Sequence, residues 1–222
     1  MKNLFTIGIP TLNRADLLNP TLKKYVRDFP ATDILVVDNG CQKIFEHPNI
    51  YVYPFPRNLG VAASWNYLCR LVFDQNSKCS WVNPRAWLIN DDVYMGKSQS
   101  EIFDVLHDAS SMDAKFVANL ENWSNFFIHR DCFEKVGPFD ENFYPAYFED
   151  NDYRYRMKLG KVVYFGHENL QPEVFRSSMT RTKDPSLNEY FQKNELYYEK
   201  KWGGPPGEER FRVPFDGVKQ NV

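Results

Sequence analysis

The stretch AWLINDD, residues 86–92, decides the fold. Its first four residues are apolar, and its last three, Asn90, Asp91 and Asp92, are polar. A short apolar run that ends in carboxylates predicts a buried strand that delivers acidic side chains to the edge of a sheet. In open α/β sheets, ligands bind at the edge formed by the carboxyl ends of the strands. The stretch therefore predicts an α/β protein with a ligand site beside these acids.

A second acidic cluster, Glu149-Asp150-Asn151-Asp152, follows the aromatic pair Tyr147 and Phe148 later in the chain. Carboxylates at the edge of such a sheet have two natural uses. They hold a divalent cation next to phosphates, or they remove a proton from a reacting group. The chain offers one acidic cluster for each use.

The rest of the chain alternates between strand and helix patterns, which are read from apolar runs and from apolar residues at helical spacing. Ser98 and Glu101 fit a capping box at the start of the third helix. Such alternation is typical of a mostly parallel central sheet with helices on both faces. We expect residues 1–180 to form this domain and residues 181–222, a helix and an irregular tail, to pack on it. Strands are predicted at 4–9, 33–37, 50–55, 86–89, 115–119 and 126–129, and helices at 14–29, 61–73, 98–107 and 187–202.

Composition narrows the class of protein. The 222 residues are 43% hydrophobic, and the net charge of -2 gives no basic surface for nucleic acid. No apolar run reaches the ~20 residues of a membrane span, and the N-terminus lacks a secretory apolar segment. The cysteines lack the paired spacing of a zinc site, which favours reduced thiols. We expect a cytoplasmic protein, and the sequence leaves its oligomeric state open.

Two common phosphate-binding motifs are missing from the sequence. Near residues 57–60 there is no Gly-x-Gly-x-x-Gly of a dinucleotide site, and the chain contains no P-loop motif. A cation on Asp92 is then the obvious way to neutralise phosphates. Adjacent side chains point to opposite sides of an extended backbone, so only one of Asp91 and Asp92 should bind the cation directly. Hard oxygen ligands suit Mg2+ or Mn2+.

The loop after the first strand and the end of the second strand each allow two interpretations. Thr11 or Asn13 could cap the following helix, and Asp38 could form a turn. Alternatively, the loop could form a pocket wall and Asp38 could accept a hydrogen bond from a nucleotide base. The second interpretation gains weight because both segments lie at the carboxyl ends of neighbouring strands.

Five segments, taken in order, resemble the family 2 glycosyltransferases with the GT-A fold. The resemblance covers roughly residues 4–180, and the last of the five segments is its most specific part. In that segment a Gly-x-Phe-Asp-Glu sequence precedes a Glu-Asp-x-Asp sequence. Asn90 stands where an aspartate is common in the family, and in this respect the chain is similar to rhamnosyltransferase-like members. The segments are residues 9–14 (IPTLNR), 36–40 (VVDNG), 58–66 (NLGVAASWN), 88–93 (LINDDV) and 136–160.

The resemblance implies a role for each matching residue. Asp150 would be the catalytic base, with Glu149 as its neighbour and alternative. Asp92 would be the main metal ligand for Mn2+ or Mg2+, and His167 falls where some GT-A enzymes place a late metal-ligating histidine. The remaining matches would bind the nucleotide or the donor sugar; they are Pro10, Thr11, Asn13, Arg14, Asp38, Asn58, Gly60, Asn66, Asn90 and Asp91.

The resemblance and the chemistry of the acids predict the same reaction. We expect a metal-dependent, inverting glycosyltransferase that moves a sugar from a UDP- or dTDP-sugar to a hydroxyl of a glycan or other acceptor. Attack opposite the leaving group inverts the anomeric centre and needs only one base. One alternative is a sugar nucleotidyltransferase, which would need a Gly-rich loop with Lys and Arg after the first strand. Another is a non-catalytic module that only binds nucleotide sugars.

Overall fold

A computed structural model describes residues 4–175 and 187–218. The predicted boundary between residues 180 and 181 lies outside these ranges. The strands in the described ranges are β1 (Thr6–Thr11), β2 (Ile34–Asp38), β3 (Ile50–Pro54), β4 (Arg85–Ile89), β5 (Val93–Tyr94), β6 (Phe116–Ala118), β7 (Asn125–His129), β8 (Tyr164–Gly166) and β9 (Val174–Phe175). The α-helices there are α1 (Ala15–Asp28), α2 (Val61–Phe73), α3 (Gln99–Ser111), α4 (Arg130–Val136), α5 (Glu149–Leu159) and α6 (Leu187–Trp202).

Seven of these strands form one mixed sheet in the order β3-β2-β1-β4-β7-β6-β8. Strand β7 runs antiparallel to β4 and β6, and the other four pairings are parallel. Strands β5 and β9 form a separate antiparallel pair. The predicted α/β class with a mostly parallel central sheet is confirmed.

Two apolar clusters cover the two faces of the sheet, as strand β2 shows. Its Ile34 and Val36 belong to the cluster that contains residues of α1 and α3. Its Leu35 and Val37 belong to the cluster that contains residues of α2. A strand buried on both faces must be apolar at successive positions, which explains why β2 is a continuous apolar run.

Local sequence patterns predicted several elements correctly. Helix α2 spans the predicted residues 61–73, and the capping box at Ser98 and Glu101 is present at the start of α3. Helices α4 and α5 were not predicted as helices. For Glu149 and Asp150, however, a helix N-terminus was the alternative to a functional cluster, and α5 does begin at Glu149. Acidic side chains at a helix N-terminus can also contribute to a functional site, so the two alternatives for Glu149 and Asp150 are compatible.

The C-terminal helix α6 packs against α5 and the segment before it. Tyr198 and Trp202 of α6 are buried with Phe143, Phe148 and Tyr155 in a third apolar cluster. None of the helices in the described part of the chain combines the length and the apolar character that a membrane crossing requires.

Candidate active site

The ends of β1 and β4 meet at the predicted edge of the sheet. The two strands are parallel neighbours, and Gly8 pairs with Leu88. Beyond this pairing, the Thr11 hydroxyl donates a hydrogen bond of 2.7 Å to Oδ2 of Asp91. The structure therefore brings the loop after β1 into contact with the acidic residues after β4.

Asp91 and Asp92 share a poorly hydrated environment. Burial raises the pKa of Asp91 to about 6; the hydrogen bond from Thr11 opposes this shift, and the neighbouring charge of Asp92 adds to it. Burial also raises the pKa of Asp92, and the positive charge of Arg14 opposes the rise at both carboxyls. A further cation here would favour the ionised form of both groups.

The two side chains point to different sides, as expected for adjacent residues. Asp91 contacts the loop after β1, whereas Asp92 lines a small cavity together with Thr21 of α1 and Tyr94 of β5. Asp92 is therefore the carboxylate that is not engaged by Thr11. This arrangement leaves it available for another ligand.

Arg14 is a buried cation with unused hydrogen-bonding groups. Its Nε lies 3.3 Å from Oδ1 of Asp16, and its side chain is 9% exposed. Neither terminal nitrogen of its guanidinium has a hydrogen-bond partner in the described structure. A buried guanidinium normally satisfies its N–H groups, so these two donors suit an anionic ligand.

Two further predicted residues lie beside this loop. Pro10 pairs with Val37 in the ladder between β1 and β2. Asn13 has a φ of 54°, and its side chain lies so close to Gly40 that a Cβ at Gly40 would collide with it. Gly40 is therefore required for the turn after β2 to approach the loop after β1.

Asp38, at the end of β2, holds its own turn together. Its Oδ1 accepts hydrogen bonds of 3.0 Å from the backbone N–H of Gly40 and from Nε2 of Gln42, and its Oδ2 accepts one of 2.5 Å from the backbone N–H of Gln42. The side chain is buried. Asp38 therefore forms the turn after β2, and its contact with a nucleotide base stays a prediction.

The segment 58–60 contacts both the turn after β2 and the chain before α5. Asn58 accepts a hydrogen bond of 2.9 Å from the N–H of Gly60, which has a φ of 83°. A Cβ at Gly60 would lie only 2.9 Å from Cδ2 of Tyr144. Asn39, which the sequence did not single out, accepts a hydrogen bond from the N–H of Leu59. These contacts place Asn58 and Gly60 between the turn after β2 and the chain before α5.

Asn66 has a different role from the predicted one. Its amide donates to the carbonyl of Phe139 at 2.9 Å and to Glu141 at 2.8 Å, and it accepts from the N–H of Phe139 at 2.7 Å. The side chain is fully buried. Asn66 therefore holds the Gly-x-Phe-Asp-Glu segment. The sequence predicted a place near the nucleotide or donor sugar, but the hydrogen bonds of Asn66 are made within the protein.

Glu149 and Asp150 begin helix α5 in unequal environments. Glu149 is buried, and its Oε2 has no hydrogen-bond partner in the described ranges. Burial and the adjacent Asp150 raise the pKa of Glu149 to about 8. Asp150 is half-buried, its Oδ1 accepts a 2.8 Å hydrogen bond from the N–H of Asn151, and burial raises its pKa. Asp150 is the more accessible carboxylate of the two.

Asp152, the last acid of the cluster, is a structural residue. It is fully buried, and Lys201 donates a hydrogen bond to its Oδ1 at 2.5 Å. Trp202 donates to the same oxygen at 2.9 Å, and Arg156 donates to Oδ2 at 2.8 Å. The second acidic cluster thus contains one acid, Asp152, that anchors α6, and two acids, Glu149 and Asp150, that have no ion-pair partner in the described ranges.

His167 has hydrogen-bond partners of its own. Its Nδ1 accepts a hydrogen bond from the N–H of Asn169 at 3.0 Å, and its Nε2 lies 3.4 Å from Oδ2 of Asp108 on α3. Because both ring nitrogens already have partners, the structure does not support His167 as a metal ligand beside Asp92. Within the described ranges, no three His, Cys, Asp or Glu side chains cluster as a metal site would require.

The residues after β4 nevertheless fit one kind of metal site. Mg2+ and related ions bound near phosphates take one or two protein carboxylates and complete their coordination with phosphate oxygens and water. Asp92 offers one such carboxylate, and burial without full compensation raises the pKa values of both Asp92 and the neighbouring Asp91. The donor set is therefore adequate only when a phosphate-containing ligand supplies the other oxygens.

Comparison with known proteins adds sequence and fold relationships. No protein-family model matches the chain. A galactofuranosyl glycosyltransferase of Leishmania donovani is 42% identical over 57 residues, which cover 21% of this chain and 13% of that protein. The chain therefore aligns with only a small part of this relative.

Two solved structures share the architecture over most of this chain. The mannosyltransferase PcManGT of Pyrobaculum calidifontis, solved with GDP-Man and Mn2+, has a TM-score of 0.58 at 13% identity; the match covers 75% of this chain and 55% of that one. A mutant of the Drosophila β1,4-galactosyltransferase 7, solved with manganese, UDP-Gal and xylobiose, has a TM-score of 0.51 at 12% identity. This match covers 98% of this chain and 85% of that one. The chain has the GT-A fold, which is the fold expected from the resemblance of its sequence.

Proposed function

We propose that the protein is a metal-dependent, inverting glycosyltransferase that uses a UDP- or dTDP-sugar and a hydroxyl acceptor on a glycan or similar molecule. One observation carries this proposal. At the ends of β1 and β4, two buried carboxylates lie beside a buried guanidinium whose terminal nitrogens have no partner in the described residues. Such a mixture of charges suits a diphosphate accompanied by a cation. The two GT-A structures solved with nucleotide sugars and manganese support the same interpretation.

The donor half of the site consists of Arg14, Asp91 and Asp92. Asp92 would hold Mn2+ or Mg2+, and Asp91, fixed by Thr11, would shape the pocket beside it. When bound, the cation acts as a Lewis acid that stabilises the charge developing on the leaving diphosphate. Arg14 can donate hydrogen bonds from its two unpartnered nitrogens to phosphate oxygens.

Asp150 is the proposed general base. An acceptor hydroxyl must reach the base, and Asp150 is more exposed than the buried Glu149. The carboxylate takes the proton of the acceptor hydroxyl as that oxygen attacks the anomeric carbon and the bond to the nucleotide diphosphate breaks. Glu149 stays protonated over a wider pH range because its pKa is raised to about 8, which limits the negative charge next to Asp150.

The proposal can be tested with purified protein and a panel of UDP-, dTDP- and GDP-sugars. Transfer or donor hydrolysis is measured with Mn2+, with Mg2+ and with EDTA, and the anomeric configuration of the product is determined by NMR. We expect metal-dependent turnover of a UDP- or dTDP-sugar with inversion. Binding of nucleotide sugars without any turnover would support the non-catalytic module, and release of pyrophosphate from a nucleoside triphosphate and a sugar phosphate would support a nucleotidyltransferase.

A further inference from the structure

The chain adopts an unfavourable backbone conformation directly before the proposed base. Tyr147 and Phe148 have φ values of 81° and 71°, in the left-handed region that bulky side chains rarely occupy. Such a conformation persists only where its surroundings fix it. Phe148 is the N-cap of α5 but makes no side-chain capping hydrogen bond. Other contacts must therefore hold this turn, and with it Glu149 and Asp150.

Helix α6 supplies a buried polar contact to this turn. Asn194 is 1% exposed, and its Nδ2 lies 2.8 Å from the carbonyl oxygen of Ala146. The same nitrogen lies 3.3 Å from the carbonyl oxygen of Tyr147 and 3.4 Å from that of Tyr144. One amide therefore faces three carbonyl groups of the four residues that lead to Phe148.

The same helix also fixes the aromatic side chains of the turn. The ring of Phe191 lies 5.5 Å from that of Tyr147 and 5.1 Å from that of Phe148, measured between centroids. Tyr198, about two turns further along α6, lies 5.7 Å from Phe148 between ring centroids. Aromatic contacts of this kind stabilise a structure beyond the burial of their area, so they offset part of the strain.

The last turn of α6 is anchored to α5 independently. Lys201 pairs with Asp152 at 2.5 Å and with Asp140 at 2.7 Å, and Trp202 donates to Asp152. The two interactions with Asp152 are buried and the one with Asp140 is partly buried, and removing one partner of a buried ion pair is costly. Helix α6 is thus a fixed element against which the turn can be held.

We propose that Asn194 is a positioning residue that holds the turn at residues 144–148 so that Asp150 faces the acceptor hydroxyl. This inference rests on the proposed function, because it assigns Asn194 a role in that reaction. Asn194 touches neither donor nor acceptor and acts through the backbone carbonyls of the turn. Arg14 and Asp91, which would hold the donor together with Asp92, form their described side-chain contacts with Asp16 and Thr11 and not with this turn, so the proposal separates turnover from binding of the diphosphate.

The test uses the full chain and the variant Asn194→Asp, which keeps the shape but replaces the N–H donor with an acceptor. Asn188→Asp is the matched control, since Asn188 is exposed on the same helix and the change in charge is identical. A misplacement of about 1 Å costs roughly 100-fold in rate. We therefore expect kcat for sugar transfer to fall about 100-fold in Asn194→Asp, with the Kd for UDP or dTDP within about twofold of wild type, and the control to be unaffected.

Hydrogen exchange of the backbone amides at residues 149–152 gives a readout that does not depend on activity. We expect faster exchange there in Asn194→Asp than in Asn188→Asp, at a temperature well below melting for both variants. Unchanged exchange together with an unchanged kcat would overturn the proposal. A loss of nucleotide affinity in parallel with kcat would also overturn it, because that is the result of general unfolding. If the wild-type protein transfers no sugar, the proposed function fails and so does the positioning role, whereas faster exchange would still show that Asn194 holds the turn.

Discussion

Replacing Glu149 with glutamine is expected to stabilise the folded protein at neutral pH. The Glu149 carboxyl is buried, its Oε2 has no partner among the described residues, and burial with the adjacent Asp150 raises its pKa to about 8. The ordinary pKa in an unfolded chain is 4.5. Between these two values the folded protein keeps the proton while the unfolded chain releases it. Stability is therefore lost progressively as the pH rises from the lower value towards the higher one.

The size of the effect follows from the separation of the two pKa values. One unit corresponds to about 1.36 kcal/mol, so the cost of Glu149 at pH 7 is at most about 3 kcal/mol. A glutamine removes this cost but introduces a buried amide whose unmatched donors cost about 1–2 kcal/mol. We expect a net gain of about 1–2 kcal/mol, which in a domain of this size raises the melting temperature by about 2–8 °C.

The assay is thermal unfolding of the wild type and of Glu149→Gln at pH 4, 6 and 8. Glu46→Gln is a suitable control, because Glu46 is exposed in the loop between β2 and β3. The stability difference between Glu149→Gln and wild type should increase with pH, whereas the control should differ little from wild type. A variant that melts below wild type at pH 8, or a difference that is the same at all three pH values, would refute the assignment of a raised pKa to Glu149.

Three further predictions concern the acids of the candidate site. Asp150→Asn should lower kcat by about 10²–10⁴ with unchanged donor affinity in initial-rate measurements. The activity of the wild type should rise as the pH passes the raised pKa of Asp150, because the base must be ionised. Asp92→Ala should remove the effect of Mn2+ on nucleotide affinity; equal affinity with Mn2+ and EDTA in the wild type would eliminate the metal from the mechanism. Asp38→Ala should lower the free energy of unfolding by about 1–3 kcal/mol in urea titrations, because the N–H groups of Gly40 and Gln42 lose their acceptor.

The first half of the fold could be predicted because its signals are local. Strand β2 is apolar on both faces, and α2 begins after Gly60 with apolar residues at helical spacing. The position of Asp91 and Asp92 at the edge of the sheet was predicted from the rule that ligand sites form at the carboxyl ends of the strands, whereas the hydrogen bond between Thr11 and Asp91 was not. These inferences need only the pattern of each segment and the general geometry of α/β sheets.

The second half could not be predicted in the same detail because its elements depend on distant partners. Helix α5 carries many charged residues, and its Asp152 is satisfied by Lys201, 49 residues later. Asn66 finds its partner 73 residues away at Phe139, so its sequence position gave no indication of a structural role. The partner of His167 was equally distant in sequence, since its ring contacts Asp108 on α3, 59 residues earlier.

The acids of the second cluster differ in role because they differ in their partners. Asp152 and Asp140 are balanced by Lys201 and Arg156, so their charges stay within a closed, hydrogen-bonded group. A buried group of this kind holds only when all its members are present, because removing one member leaves an uncompensated charge. Glu149 and Asp150 lack such ion-pair partners in the described structure, and their pKa values are raised instead. Helix α6 therefore serves the site twice: its last turn neutralises the acid that must stay structural, and its Asn194 holds the turn that presents the acids left for chemistry.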